Sequence, residues 1–137
     1  MLAQNPYARY RQIETETADG LDLVIMLYRG AIRMLGQAED GIQEGATTEV
    51  HNWLVRVQDI VNELSLTLNL DAGEVAVNLR RLYDYMLERL VEANILKDLE
   101  PVREVKALLT DLLDAWLDAR TGLQTGAAVP AAAVVAA

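Results

Sequence analysis

Three stretches of this chain repeat apolar residues at steps of three and four, and only Pro6, Pro101 and Pro130 break the chain as prolines. Val50, Leu54, Val57, Val61, Leu64 and Leu68 step by 4, 3, 4, 3, 4. Val75, Leu79, Leu82, Met86, Leu90 and Ala93 step by 4, 3, 4, 4, 3. Val102, Val105, Leu109, Leu112 and Trp116 continue the pattern. Such spacing places each set on one face of an α-helix. A fourth stretch, Leu23 to Ile42, is apolar on more than one side (Val24, Met26, Leu27, Ala31, Met34, Leu35, Ala38), which predicts a helix covered on more than one side. No strand-like alternation competes.

The punctuation fits four helices. Thr17 or Asp19 can cap the first, and Gly41 or Gly45 can end it. Thr47 or Thr48 can cap the second. Asp71-Ala72-Gly73 reads as a tight connection. Asp98 can cap the fourth helix, placing Pro101 in its first turn, where a missing N–H is harmless. Gly122 and Gly126 close it. Helices of about 22 residues are about 33 Å long. Short connections make successive helices antiparallel neighbours. The sequence therefore predicts an all-α fold, an antiparallel up-down-up-down four-helix bundle over 19–122. Residues 1–18 form a separate cap segment, in which Tyr7, Tyr10 and Ile13 recur at helical spacing. That segment is too short for a stable helix unless its apolar edge docks. Residues 123–137, all Ala, Val and Gly apart from a few others and without charge, read as a flexible tail.

Composition removes most chemistry. The 137 residues carry no Cys and one His, so thiol catalysis, Cys-based metal sites and His-rich metal centres are excluded. A net charge of −9 disfavours gripping phosphates or an anionic membrane. No apolar run approaches the ~20 residues of a membrane span. Asn5, Pro6, Arg9 and Arg11 stand where a signal peptide needs an apolar stretch, so a cytoplasmic location is expected. Asp111, Asp114 and Asp118 share a helix face, but a solvated face is the simpler reading. His51 has no ligand partner one turn away. There is no phosphate loop and no nucleophile motif. No catalytic residue, metal or cofactor is predicted, and the expected mode of action is contact.

The aromatic residues carry more information. With no Phe, five Tyr and two Trp supply all aromatic surface. Tyr83 and Tyr85 lie two apart on one helix, so only one of them can join the core stripe. Buried Tyr seeks a partner for its hydroxyl. Arg80, Arg81 and Arg89 stand at pairing distance from Asp84, Glu88 and Glu92 along the same helix.

The run Asn78-Leu79-Arg80-Arg81-Leu82-Tyr83-Asp84-Tyr85-Met86-Leu87-Glu88-Arg89-Leu90-Val91-Glu92-Ala93-Asn94 resembles N-L-x-x-L-Y-D-Y-M-x-x-R-L-x-x-A-N. That is the signature of the FliS family, cytoplasmic chaperones of flagellin. Met26-Leu27-Tyr28-Arg29-Gly30-Ala31, Asn5-Pro6-Tyr7 with Tyr10, Gln58 to Leu64, Gly73-Glu74-Val75-Ala76 and Trp116 resemble further parts of the pattern, in order. The resemblance implies a four-helix bundle that holds the disordered C-terminal segment of flagellin, prevents premature polymerisation and aids delivery to the flagellar type III export apparatus. It implies flagellin and the export gate as partners, allows a homodimer, and implies no nucleic acid. Tyr7, Tyr10 and Ile13 match a removable cap. Tyr28, Tyr83, Met86, Leu87 and Leu90 are candidates for binding the client, with the choice between groove and core left open. Two features depart from the family: Asp19-Gly20 stands where Ser-Pro is common, and the tail after 122 has no counterpart. The alternative function is a non-catalytic helical adaptor or self-assembling bundle.

Overall fold

The computed structural model describes residues 20–122. Four helices fill that range: α1 Gly20–Glu44, α2 Thr47–Leu66, α3 Glu74–Leu96 and α4 Leu99–Thr121, with a short 3-10 turn at Leu70–Ala72. The cap segment, the tail, and the caps expected at Thr17, Asp19 and Gly126 lie outside the described residues.

The helices close a ring. α1 packs on α2 and α4, and α3 packs on α2 and α4, leaving α1 and α3 diagonally opposed. Cross-helix contacts fix the directions. Arg120 Nη1, near the end of α4, donates to Asp22 Oδ1 near the start of α1 at 3.1 Å. Asn94, near the end of α3, reaches His51 near the start of α2. This is the antiparallel four-helix bundle that the apolar stripes predict.

Each stripe supplies one face of a single core. Val50, Leu54, Val57, Val61 and Leu64 from α2 meet Leu79, Tyr83, Met86, Leu90 and Ala93 from α3 and Val102, Val105, Leu109 and Trp116 from α4. On α1 the consecutive residues Leu23, Val24 and Ile25, then Leu27 and Tyr28, are all buried. A helix buried so far round its circumference is one that the others surround.

The connections are short, and each uses a different device. Gly45 ends α1 in a left-handed conformation, φ +73°. Neither Thr47 nor Thr48 caps α2, contrary to the expectation. Ala46 holds the cap position without a side-chain hydrogen bond, and Thr47 is already helical. The reason lies in the chain path. Ala46 N donates to Gly41 O at 2.8 Å and Val50 N to Ala46 O at 3.0 Å, so the backbone itself ties α1 to α2 across two residues. Before α3, Asn69 Oδ1 accepts from Asp71 N at 3.2 Å. Gly73 then takes φ +115°, ψ −160°, a conformation essentially restricted to glycine. Lys97 ends α3 in the left-handed region at φ 50°. Its Nζ donates to Asn94 Oδ1 at 2.7 Å and also reaches Asn94 O. Asp98 caps α4 as expected, accepting from Glu100 N at 3.1 Å, and Pro101 sits buried in the first turn.

Gly41 does not end α1. It lies inside the helix where α2 crosses closest, and a Cβ there would stand 2.7 Å from Val50 Cγ2. Val50 is fully buried and β-branched, so it has little freedom to yield. Gly41→Ala should gain up to ~1 kcal/mol of helix propensity but lose ~1–3 kcal/mol to overpacking. The expected outcome is a net loss of stability in urea unfolding, with the loss relieved when Val50→Ala is added. A gain in stability for Gly41→Ala alone would show that the helices separate freely at this point.

Candidate functional site

The centre of the bundle is aromatic and hydrogen-bonded. Tyr28 on α1 and Tyr83 on α3 meet hydroxyl to hydroxyl at 2.6 Å, and either can donate. Trp116 on α4 stands edge-on to Tyr28, with ring centroids 6.3 Å apart and planes at 61°. Helical period explains how they converge: each ring occupies a position within its helix's buried stripe. Burial pushes the Tyr28 hydroxyl up to about 12, although the bond from Tyr83 works the other way. Burial also holds the Tyr83 hydroxyl well above the usual tyrosine range, and the neighbouring Tyr28 adds to that. Both phenols therefore stay neutral at any physiological pH. They form a structural tie and have no acid–base role.

Most of the candidates on the helices are buried in the free chain. Tyr28, Tyr83, Met86 and Leu90 are buried in the core and present no open surface. Leu87 is half-buried, packed against the core from α3. Tyr7, Tyr10 and Ile13 lie outside the described residues. The two neighbouring tyrosines divide as the two-residue spacing requires. Tyr83 is buried, whereas Tyr85 is 40% exposed and donates to Glu104 Oε2 at 2.7 Å. That bond to a carboxylate raises the Tyr85 pKa.

Open apolar surface lies elsewhere. Leu66, 61% exposed, and Leu70 cluster where α2 gives way to the 3-10 turn, and Val77 is exposed on the first turns of α3. Beside them a recess between α2 and α3 is lined by Asn62, Ser65, Leu66, Arg80 and Asp84. Ser65 Oγ is buried there without a hydrogen-bond partner. Arg80 and Asp84, paired at 3.7 Å along α3, form its polar wall. The open part of the recess has Leu66 for an apolar side chain and Asn62, Arg80 and Asp84 for polar contacts. Leu66, Leu70 and Val77 were missed because their stripe positions alone do not distinguish a covered from an uncovered flank.

Two ionic clamps hold the outer seams. On the α3–α4 seam Arg89 Nε donates to Glu104 Oε1 at 2.6 Å, Nη2 to Glu100 Oε1 at 3.2 Å, and Nη1 to Glu92. Tyr85 and Arg89 together hold the Glu104 carboxyl below its usual range. On the α1–α4 seam Lys106 Nζ donates to Glu39 Oε1 at 2.7 Å and Arg103 Nε to Glu39 Oε2 at 3.1 Å. Burial alone would push the Glu39 carboxyl up, but these two cations outweigh it and bring it down. Of these contacts only the within-helix pairs, Arg89–Glu92 and Arg80–Asp84, follow from spacing. The others depend on the register between helices.

Among the described residues no group of His, Asp and Glu converges to hold a metal ion. Asp111 and Asp114 are exposed on α4. His51 Nδ1 meets the Asn94 amide at 2.8 Å, a cross-helix tether at the bundle's end. No described helix is long and apolar enough to cross a membrane.

Residues 3–122 match the family model described as flagellar protein FliS. The chain belongs to the FliS family. It is 37% identical to the flagellar secretion chaperone FliS of Bacillus subtilis over 119 residues, which is 87% of this chain and 89% of that protein. It is 33% identical to the flagellar secretion chaperone FliS of Salmonella typhimurium, over 78% of this chain and 84% of that protein. A third relative, flagellar secretion chaperone FliSB of Pseudomonas aeruginosa, is 32% identical over 85% of this chain and 96% of its own length. Five of the eleven positions that the signature on α3 specifies, Leu79, Tyr83, Met86, Leu90 and Ala93, are buried in the core.

The hydroxyl pair gives a signed prediction. Tyr83→Phe or Tyr28→Phe alone leaves one buried hydroxyl unpaired and should cost ~1–3 kcal/mol, whereas the double Phe variant should recover most of that loss. Urea unfolding of the four proteins measures the coupling. The folded pKa of each phenol is raised, so their contribution is complete below the unfolded value and is lost as pH rises through the folded one. Ultraviolet titration should therefore show a tyrosine component that ionises only near pH 12 or on unfolding and is absent from the double variant.

Proposed function

We propose that this chain is a cytoplasmic flagellar export chaperone that holds the disordered C-terminal segment of flagellin by contact alone. Binding keeps that segment from polymerising early and presents the subunit to the export gate of the secretion apparatus. The observation that carries the reading is the match to the FliS family through residues 3–122, together with relatives named flagellar secretion chaperones. The physics is consistent with it. An amphipathic segment with no core of its own folds by laying its apolar face on a helix bundle. Ordering that segment consumes part of the interaction free energy, so the affinity stays modest and release remains easy. No bond is made or broken, and the chain acts without an enzyme's machinery.

The client surface proposed here is the α2–α3 flank, where Leu66, Val77 and half-buried Leu87 supply the apolar wall. Tyr28, Tyr83, Met86 and Leu90 act beneath it, holding the wall in shape from the core. Tyr7, Tyr10 and Ile13 are proposed as a removable cap that shields apolar surface in the free protein.

Calorimetric titration of the full chain with a flagellin C-terminal peptide tests the reading. Saturable one-to-one binding is expected, lost when the peptide's last apolar helix is deleted. Absence of binding would leave a self-assembling adaptor as the better account. Hydrogen exchange should change protection at residues 5–15 on adding the peptide, and no change there would overturn the cap. Tyr83→Ala should destabilise the bundle by ~3–5 kcal/mol in urea unfolding. Tyr85→Ala should stay within about 1 kcal/mol of the parent, because it removes an exposed ring and one surface hydrogen bond.

A further inference from the structure

We propose that the outward face at the end of α3 is a docking site for a basic amphipathic helix of a second protein, distinct from the client. Glu88, Glu92, Ile95 and Leu96 recur at i, i+4, i+7 and i+8, so they share one face of α3, with Tyr85 a turn before Glu88. Ile95 and Leu96 are 75% and 65% exposed, more open than any other large apolar side chain among the described residues. Val91, also exposed, borders them. Neither neighbouring helix covers this face. α2 meets α3 at the Asn94–His51 side, and α4 meets it at the Arg89–Glu104 side. An outward helix face left apolar at Ile95 and Leu96, with exposed Val91 on its α2 side and part-exposed Tyr85 on its α4 side, is the kind of surface that marks an interaction site.

Charge selects the occupant. The ionised groups on the stripe itself are carboxylates, Glu88 and Glu92. The nearest cations are already engaged. Arg89 is folded onto the α4 seam by Glu92, Glu100 and Glu104. Lys97 Nζ donates to the uncharged Asn94, which fixes its position but leaves its charge, one cation against the carboxylates of Glu88, Glu92, Glu100 and Glu104. Arg81, on the same side of α3, lies about two turns back toward its start. Glu92, Glu100 and Glu104 outnumber the single guanidinium they share, so the rim stays negative. A second copy would set these carboxylates against their own kind in a chain of net charge −9. An anionic lipid surface meets the same repulsion. A helix with an apolar stripe flanked by Lys or Arg one turn apart satisfies both features. Its apolar residues cover Ile95 and Leu96, and its cations meet Glu88 and the rim carboxylates that exceed Arg89's single charge. The inference does not depend on what the α2–α3 flank binds.

The test uses the full chain and two labelled synthetic helical peptides of equal length, one of Leu and Lys and one of Leu and Glu, in fluorescence anisotropy at low salt. The Leu/Lys peptide should bind saturably and at least about tenfold more tightly than the Leu/Glu peptide. Combined Ile95→Ser and Leu96→Ser should weaken that binding at least about tenfold, and Glu88→Lys, which touches no described ion pair, should weaken it as well. Met26→Ser, at an exposed position on the diagonal helix α1, should leave it unchanged. Circular dichroism checks that each variant keeps its helix content. Unaltered binding in the Ile95→Ser/Leu96→Ser protein would reduce the effect to bulk charge and overturn the proposal. So would equal binding of the Leu/Glu peptide, or a dimer of the free chain that these two substitutions dissociate.

Discussion

The bond between the Tyr28 and Tyr83 hydroxyls joins one diagonal pair of helices, which share no packed seam. α1 and α3 stand across the bundle from each other, and at 2.6 Å their phenols close the gap through its centre. One buried hydroxyl donates to the other with no charge involved, and the low dielectric around them strengthens the bond. The chain has no Phe, which makes this arrangement more than a local detail. Every large ring placed in the core by α1 and α3 brings a polar tip that must be matched. The pairing fixes both rings, Trp116 packs on the edge of one of them, and three helices are thereby set in one register.

The α3 signature takes on a physical meaning from this centre. Its Leu79, Tyr83, Met86, Leu90 and Ala93 maintain the core, while Tyr85 and Arg89 tie the α3–α4 seam through Glu104. A motif that identifies a family of binding proteins is thus mainly a motif for holding a shape. Exposed apolar surface lies at less regular positions: Leu66, Leu70 and Val77 at one end of the α2–α3 flank, Ile95 and Leu96 at the other end of α3.

Much of the fold was legible because helical period, capping and proline placement are local properties. Asp98 with Pro101, Gly45 and the Asp71–Gly73 connection all follow from residues a few positions apart, as does the opposite placement of Tyr83 and Tyr85. The cap of α2 was not legible, because Ala46 is held by a backbone bond to Gly41 that depends on how α1 ends. Gly41 itself reads as a helix stop until Val50 is placed against it. The binding surface was the least legible. A stripe of period 3.6 marks which residues turn toward neighbours, and its flanks are covered or open according to the register of another helix. That is why Tyr28, Tyr83, Met86 and Leu90, candidates for a groove, are core residues, and why the open Leu66 and Ile95 drew no attention.

The central claim is that a fixed core presents its outer flank to a client. Methyl-detected nuclear magnetic resonance of the full chain, titrated with a flagellin C-terminal peptide, tests it most directly. The account predicts shifts at the methyls of Leu66, Val77 and Leu87, with those of Met86, Leu90 and Leu109 unmoved. Large shifts at Met86 and Leu90 with none at Leu66 and Val77 would mean that the bundle opens to admit its client, and would contradict it.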